Sequence, residues 1–323
     1  MKALQKSLAG FPRAALAHTP TPLEKLAHLS AEFAPRTLYV KRDDCTGLAV
    51  GGNKARQLEF YLGEALAGGC DTVLGTGAVQ SNYMRMLAAG AAKLGLGCHV
   101  QLEERVNNSS DDYRFSGNVL LDRLFGAELH RYPVGEDEAG ADRALAMLAD
   151  ELTAAGSKPY IIPLGADHPP IGALGYVAAA LELVGQIRRN NPPIDLIAVG
   201  SGSGMTHAGL LTGLKLMGVA IPVLGACVRR DAGLQHPRVF AHCRKLAEML
   251  GHSNAVEADD VWVDDSALAP GYGQASKRVM DDLHLLAARE GLLTDPVYSG
   301  KTFSCVFNLL RTGLRPSLKA SHG

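Results

Sequence analysis

Much of what would identify a specialised protein is missing from this sequence. Neither charge sign is in excess: 32 Lys and Arg stand against 33 Asp and Glu, a formal net charge of -1. That removes the electrostatic footprint of a nucleic-acid binder, and no acidic tail is visible. The six cysteines (Cys45, Cys70, Cys98, Cys227, Cys243, Cys305) are scattered, with no C-x-x-C pair and no Cys/His ligand spacing. Neither a disulfide framework nor a metal is expected from them. There is no apolar run of about 18 residues, so no membrane span is expected. The first residues, MKALQKSLAGFPRAALAHTP, contain no long apolar core and make a poor secretory signal, so a reducing cytoplasm is the default. No internal repeat or low-complexity tract is present.

What is there is a globular chain. Its 323 residues are 47% hydrophobic and 20% charged, enough for two ordinary domains. Residues 1–36 read as turn-rich, with one short helix near 22–32. After that, short apolar runs alternate with helical spacings. Strands are expected at 37–41, 72–74, 98–102, from 128, at 160–163, 196–199 and 223–228. Helices are expected at 54–68, 83–94, 116–124, 137–155, 176–189, 206–217, 237–250 and 274–290. A polar loop is expected over 103–112. This alternation predicts parallel β/α units, an α/β fold with parallel-rich sheets and helices on both faces. The Gly/Pro-rich stretches at 45–52 and 164–172 suggest boundaries. They delimit a large domain of residues 1–48 plus 167–323 and a small inserted domain of 49–166, with a cleft at the junction.

Four places could carry chemistry. In Gly51-Gly52-Asn53-Lys54 a strand and charged turn end in a glycine pair, then a lysine opens a helix. The helix start already carries partial positive charge, which disfavours an ammonium and suits a lysine that works as an amine. A surface lysine in a loop is the plainer alternative. Gly77-Ala78-Val79-Gln80-Ser81-Asn82-Tyr83 ends a buried strand and clusters polar side chains that would suit a carboxylate, while Ser81 or Asn82 could equally be a helix cap. Gly200-Ser201-Gly202-Ser203-Gly204-Met205-Thr206 has the form of a phosphate cup, or of a tight turn without a ligand. It is not the dinucleotide G-x-G-x-x-G, because the final position falls on Met205 or His207. The fourth, Thr294 to Thr302, contains Gly300-Lys301-Thr302, but a Walker A motif would need glycine where Asp295 stands. Two tyrosines, Tyr272 and Tyr298, sit in Gly/Pro loops, where packing is the plainer role. His99, His168, His207 and His236 read as isolated structural residues. Asp43-Asp44 reads as a solvated or salt-bridged turn.

Taken together, Gly51-Gly52-Asn53-Lys54, Gln80-Ser81-Asn82, the Ser/Gly loop with Thr206, Gly271-Tyr272-Gly273 and Asp295-Pro296-Val297-Tyr298 resemble the 1-aminocyclopropane-1-carboxylate (ACC) deaminase/D-cysteine desulfhydrase family. These are pyridoxal-phosphate enzymes of two-domain fold type II, the tryptophan-synthase-β-like fold. The resemblance runs from about residue 21 to residue 312, with the motifs in the family's order and spacing. It implies that Lys54 carries the pyridoxal 5'-phosphate aldehyde and later moves the α-proton, and that Asn53 lies at the cofactor. Gln80, Ser81 and Asn82 would meet the substrate carboxylate, with Asn82 also near the cofactor's phenolic oxygen. Gly202, Ser203, Gly204, Met205 and Thr206 would hold the phosphate, with Met205 standing where the family usually has glycine. Tyr272 and Tyr298 would face the substrate, and Ser81, Tyr272 and Tyr298 could carry protons. Ser299 would approach the pyridine nitrogen, where ring-opening deaminases carry glutamate. A hydroxyl protonates the ring less and favours elimination of a good leaving group.

The stretches at 101–106, 116–122 and 168–176 look like the L-cysteate sulfo-lyase branch. Tyr83 departs from the histidine that many relatives carry after Ser-Asn, and would lie on the substrate side. The implied activity is β-elimination to pyruvate and ammonia from L-cysteate or, second, from D-cysteine, with deamination of ACC ranked third. A homodimer is the family's expectation. Readings from other classes are an α/β enzyme using Gly200–Thr206 for a nucleotide phosphate, and a non-catalytic binding protein on the same scaffold.

Overall fold

Short strands followed by helices build two parallel sheets, with the strands Thr72–Ala78, Gly97–Glu103 and Val223–Cys227 the most deeply buried. The computed structural model describes residues 1–107, 110–190 and 192–313. The first half runs α1 (Lys2–Leu8), β1 (Leu23–Lys25), α2 (Ala27–Glu32), β2 (Tyr39–Lys41), α3 (Lys54–Ala67), β3 (Thr72–Ala78), α4 (Asn82–Leu94), β4 (Gly97–Glu103), α5 (Asp111–Phe115), α6 (Gly117–Leu124), β5 (Glu128–Tyr132), α7 (Glu138–Ala154) and β6 (Pro159–Ile162). The second runs α8 (Leu174–Asn190), β7 (Ile197–Ser201), α9 (Met205–Leu216), β8 (Val223–Cys227), α10 (Ala232–Met249), β9 (Trp262–Asp264), α11 (Lys277–Glu290) and α12 (Ser299–Thr312).

The chain forms two compact units: residues 1–8, 22–42 and 176–323 in one, residues 9–21 and 43–175 in the other. Division therefore falls at 42/43 and 175/176, against the 48/49 and 166/167 read from the sequence. Residues 9–21 join the second unit because α3 holds them. Glu59 accepts from Arg13 and from the backbone N–H groups of Leu16 and Ala17. A side chain at Gly63 would strike the Arg13 backbone at 2.6 Å, so glycine is what lets this segment lie flat on the helix.

In the second unit the strand order is β5-β4-β3-β6, all parallel. Successive residues of β3 point to opposite faces. Val73 packs with Leu58, Leu62 and Leu87 of α3 and α4, while Leu74 packs with Leu145 and Ala149 of α7. Helices thus cover both faces, as a parallel sheet requires. The first unit repeats the plan with β7-β8-β9. Val223 faces Ala180, Leu211 and Cys243, and Leu224 faces Val279 and Cys305. A small antiparallel pair, β1 with β2, belongs to the same unit.

Several elements differ from the sequence reading. β3 runs on to Ala78, through Gly75 and Gly77, which read as loop; a side chain at Gly75 would meet Leu87 at 2.6 Å, so small residues there serve helix packing. α1 buries Leu4 and Leu8 in a stretch read as turns. α5 forms inside the expected polar loop, capped by Ser110, while residues 108–109 of that loop lie outside the described residues. β9 and α12 were not anticipated. α10 starts at Ala232, capped by Asp231, and carries Pro237 inside it. The stretch Ile171–Asn190 is long and apolar enough to cross a membrane by composition, yet 61% of its apolar window is buried, with Tyr176, Ala179, Ala180 and Val184 in the core.

Candidate active site

The glycine pair before Lys54 is enforced by space. Gly51 has φ +77°, and a Cβ there would sit 1.7 Å from the Asp44 carbonyl oxygen. Buried Thr46 clamps the next residue, accepting from Gly52 N–H at 2.8 Å and donating to Gly52 O at 2.9 Å. Asn53 is the N-cap of α3 and Lys54 its first residue. Below them Arg56, 1% exposed, pairs with Asp43 at 2.9 Å and donates to Thr21, so the acidic turn is an ion pair. The Lys54 Nζ lies 5.9 Å from the centroid of the Tyr83 ring. Burial pushes the Tyr83 phenol well above its usual range, with Tyr61 and Tyr160 adding to the effect, so it stays neutral.

The β3–α4 turn belongs to the same unit. Ser81 is the N-cap of α4, and its Oγ accepts from Tyr83 and Met84 N–H at 3.2 Å each. A hydroxyl that accepts twice still has its own proton to give. Asn82 turns its Oδ1 to Arg85 at 3.1 Å and to Asn118 at 3.0 Å, which leaves its NH2 as the donor. Gln80 behaves otherwise than expected. Its Nε2 donates to the Tyr113 and Ser116 carbonyls and its Oε1 accepts from Asn118 N–H, so the amide holds the α5–α6 segment. Arg85 is the knot of this lattice, donating to Asn82, Asn118 and the Gly51 carbonyl. Buried Asp122, on α6, is raised to about 7 by burial, with Arg85 opposing the rise.

In the other unit the β7–α9 turn is held from behind. Arg230 donates to Gly202 O at 3.2 Å, Arg238 to Ser203 O at 2.9 Å, and His242 to Ser203 O at 3.2 Å. A trans peptide is planar, so the N–H that follows each pinned carbonyl points the opposite way. The N–H groups of Ser203 and Gly204 therefore face away from two arginines and a histidine, at the start of a buried helix. Gly204 has φ +94°, and a Cβ on it would meet His242 at 3.1 Å. Met205 is already the first helical residue and buried, so helical backbone accommodates it without glycine. Thr206, also buried, follows it. Two oriented amides, a threonine and a helix N-terminus fit a phosphate monoester.

Tyr298 lies against the same turn, its ring 3.4 Å from a Cβ built on Gly202. Its hydroxyl and that of Tyr272 are 2.9 Å apart, with the rings edge to face. Asp295 accepts from the N–H groups of Val297, Tyr298 and Ser299, making the cap from which Ser299 starts α12. Lys301, read as the tempting part of Gly-Lys-Thr, is buried and donates to the Leu268 and Gly271 carbonyls at 2.7 Å each. It fastens the turn that carries Tyr272, and burial lowers it to about 8. His207 is structural, bonded to Val223 O and lowered to about 4 by burial. His99 is not isolated: its Nδ1 lies 3.0 Å from His130 Nε2.

Sequence reading missed Thr46, Arg85, Asn118, Arg230, Arg238, His242 and the role of Lys301. Each acts on backbone or amide groups far away in sequence, so no local pattern marks it.

The fold and the amide cradle define an α/β enzyme suited to a phosphorylated small-molecule cofactor. Comparison with known proteins gives the class its name. Residues 14–317 match the model of the pyridoxal-phosphate dependent enzyme family. D-cysteine desulfhydrase of Serratia proteamaculans is 39% identical, covering 99% of this chain and 98% of its own. D-cysteine desulfhydrase of Yersinia enterocolitica is 40% identical with the same coverage. A solved ACC deaminase homologue is 34% identical, with TM-score 0.86 over 97% of this chain and 91% of its own. A solved threonine deaminase, at 18% identity and TM-score 0.67 over 98% of this chain and 94% of its own, shares the fold. The chain belongs to the pyridoxal-phosphate-dependent enzymes of fold type II, in the ACC deaminase/D-cysteine desulfhydrase family. Pyridoxal 5'-phosphate is its cofactor, and the nucleotide and non-catalytic readings fall away.

Proposed function

We propose that this enzyme is a carbon–sulfur lyase that removes the β-sulfur substituent of a small amino acid, with D-cysteine its first substrate. The net reaction is D-cysteine plus water giving pyruvate, ammonia and sulfide. Full-length relatives named D-cysteine desulfhydrase support this choice. L-cysteate, releasing sulfite, stands second, and ACC third. The observation that carries the reading is the β7–α9 turn, with its carbonyls tied back and its N–H groups turned out beside Tyr298.

The cofactor, when bound, supplies an electron sink for the α-carbon and so permits β-elimination. The rest falls to side chains. Ser203 and Gly204 N–H with Thr206 would hold the phosphate, beside Gly202 and Met205. Lys54 would hold the cofactor's aldehyde carbon, next to Asn53, and as a released amine take the α-proton. Ser81 Oγ–H and Asn82 NH2 are the donors left over for anionic oxygens, the substrate carboxylate and the cofactor's phenolic oxygen. Gln80 would serve by positioning them. Tyr272 and Tyr298, joined through their hydroxyls, would pass a phenolic proton to the departing sulfur. Tyr83 would bound the substrate beside Lys54, and Ser299 would face the ring nitrogen. A cytoplasmic homodimer remains part of this proposal.

The test is to give equal holoenzyme D-cysteine, L-cysteine, L-cysteate and ACC, and to measure the keto acid (pyruvate, or 2-oxobutanoate from ACC) with sulfide or sulfite. Pyruvate and sulfide in equal amounts, fastest from D-cysteine, is the expected result. Turnover of ACC alone would contradict the proposal.

A further inference from the structure

β4 and β5 run side by side at one edge of their sheet, with His99 in register with Glu128 and Gln101 with His130. Side chains alternate along a strand, so His99, Gln101, Glu128 and His130 share one face. Gln101 fixes which face this is, because it donates to the Ala141 carbonyl of α7 at 2.9 Å. On that face His99 Nδ1 lies 3.0 Å from His130 Nε2 and 3.6 Å from Glu128 Oε2. All three donor atoms lie within 4.8 Å of one another. Glu151, near the end of α7, adds its negative charge on His130.

From this geometry we infer that His99, Glu128 and His130 form a binding site for a divalent transition-metal ion such as Zn2+. Two imidazole nitrogens at about 2.0–2.1 Å from zinc in a tetrahedral shell stand roughly 3.3 Å apart. The two histidines are already close to that separation, so little movement would admit the ion. The donors are two imidazoles and a carboxylate, the mixture that zinc accepts with one or more positions left to water. His99 is buried at 8% exposure while the Glu128 side chain is 71% exposed, so the site is anchored on one side and open to solvent on the other. A hydrogen bond between the two rings is the alternative use of the same atoms. Glu128, 3.6 Å from His99, could then act as the ion partner of a protonated ring, so metal titration is what distinguishes the two.

The site lies near the start of β4 and β5, while the β3–α4 turn that carries Ser81 leaves the other end of β3. Metal there would tie the edge strand to its neighbour and take no part in catalysis. Sequence spacing could not reveal it, because the ligands come from two strands and are brought together only by sheet register.

The experiment is Zn2+ titration by calorimetry, without substrate thiol, on holoenzyme carrying Cys45→Ser to remove an exposed thiol. One equivalent should bind per chain. Glu128→Gln and His130→Asn, which each remove a ligand, should weaken it by at least about 10- to 100-fold, the range that loss of an outer-shell partner already costs. Both variants should keep full lyase activity, and unchanged activity also shows that they fold. Zn2+ binding that neither variant alters, or no stoichiometric binding at all, would overturn the site.

Discussion

Two β-to-α turns, one in each unit, do comparable work by opposite means. At 201–206 the backbone is the candidate ligand, and arginines and a histidine grip its carbonyls from behind. At 78–83 side chains are the candidate ligands, and other side chains, Arg85 and Asn118, set their orientation. A backbone cradle needs glycines at fixed spacing and so leaves a mark in the sequence. A side-chain lattice needs partners that are distant in the chain and leaves almost none. The difference also predicts how each fails.

The largest effect belongs to the residue that neither turn can replace. Lys54→Ala should lower turnover by at least about 10³-fold and abolish the visible absorbance of the lysine-bound cofactor. Steady-state kinetics and an absorption spectrum check both. Next, Arg85→Met removes the donor that faces Asn82, Asn118 and Gly51. It should lower kcat/KM on the order of 10- to 100-fold, about 1.4–2.7 kcal/mol, while the cofactor stays bound. If cofactor is lost instead, the two turns are not separable as described.

Asp122 sharpens the comparison through pH. Its carboxyl is raised from 3.8 to about 7 when folded, so the native state holds an extra proton between those values. Stability from this group is complete below the unfolded value and declines as pH rises towards 7. Asp122→Asn should therefore match wild type near pH 4 and exceed it by roughly 4 kcal/mol near pH 8, as denaturant melts at the two pH values would show. A variant destabilised at both would mean that the charged form is what the Arg85 lattice uses. The smallest effect is expected at Gly204→Ala. A Cβ at φ +94° costs about 1–2 kcal/mol, and cofactor affinity should fall roughly tenfold. KM for the amino acid should hold, the reverse of Arg85→Met, as cofactor titration of the apoenzyme would read.

The same physics explains what could be read in advance. Alternating apolar runs reported the parallel sheets, because buried strands on both faces must be apolar. Gly51-Gly52 and the loop at 200–204 were legible because close approach and positive φ exclude other residues. The start of α12 was read as part of a loop over 294–302 because Ser299-Gly300-Lys301 is polar and looks like a turn; the burial of Lys301 beneath two carbonyls was not visible. Gln80 read as a substrate ligand because its neighbours invite that role, yet the 113–118 backbone occupies its amide. His99 read as solitary because register, not spacing, joins it to His130.

The central claim is that Lys54 is the residue to which the cofactor is joined. Borohydride reduction of cofactor-loaded enzyme, followed by digestion and mass spectrometry, fixes that link permanently. The predicted result is the phosphopyridoxyl mass on the peptide containing Lys54 and on no other lysine. An unmodified Lys54, or the mass on Lys301, would contradict the account.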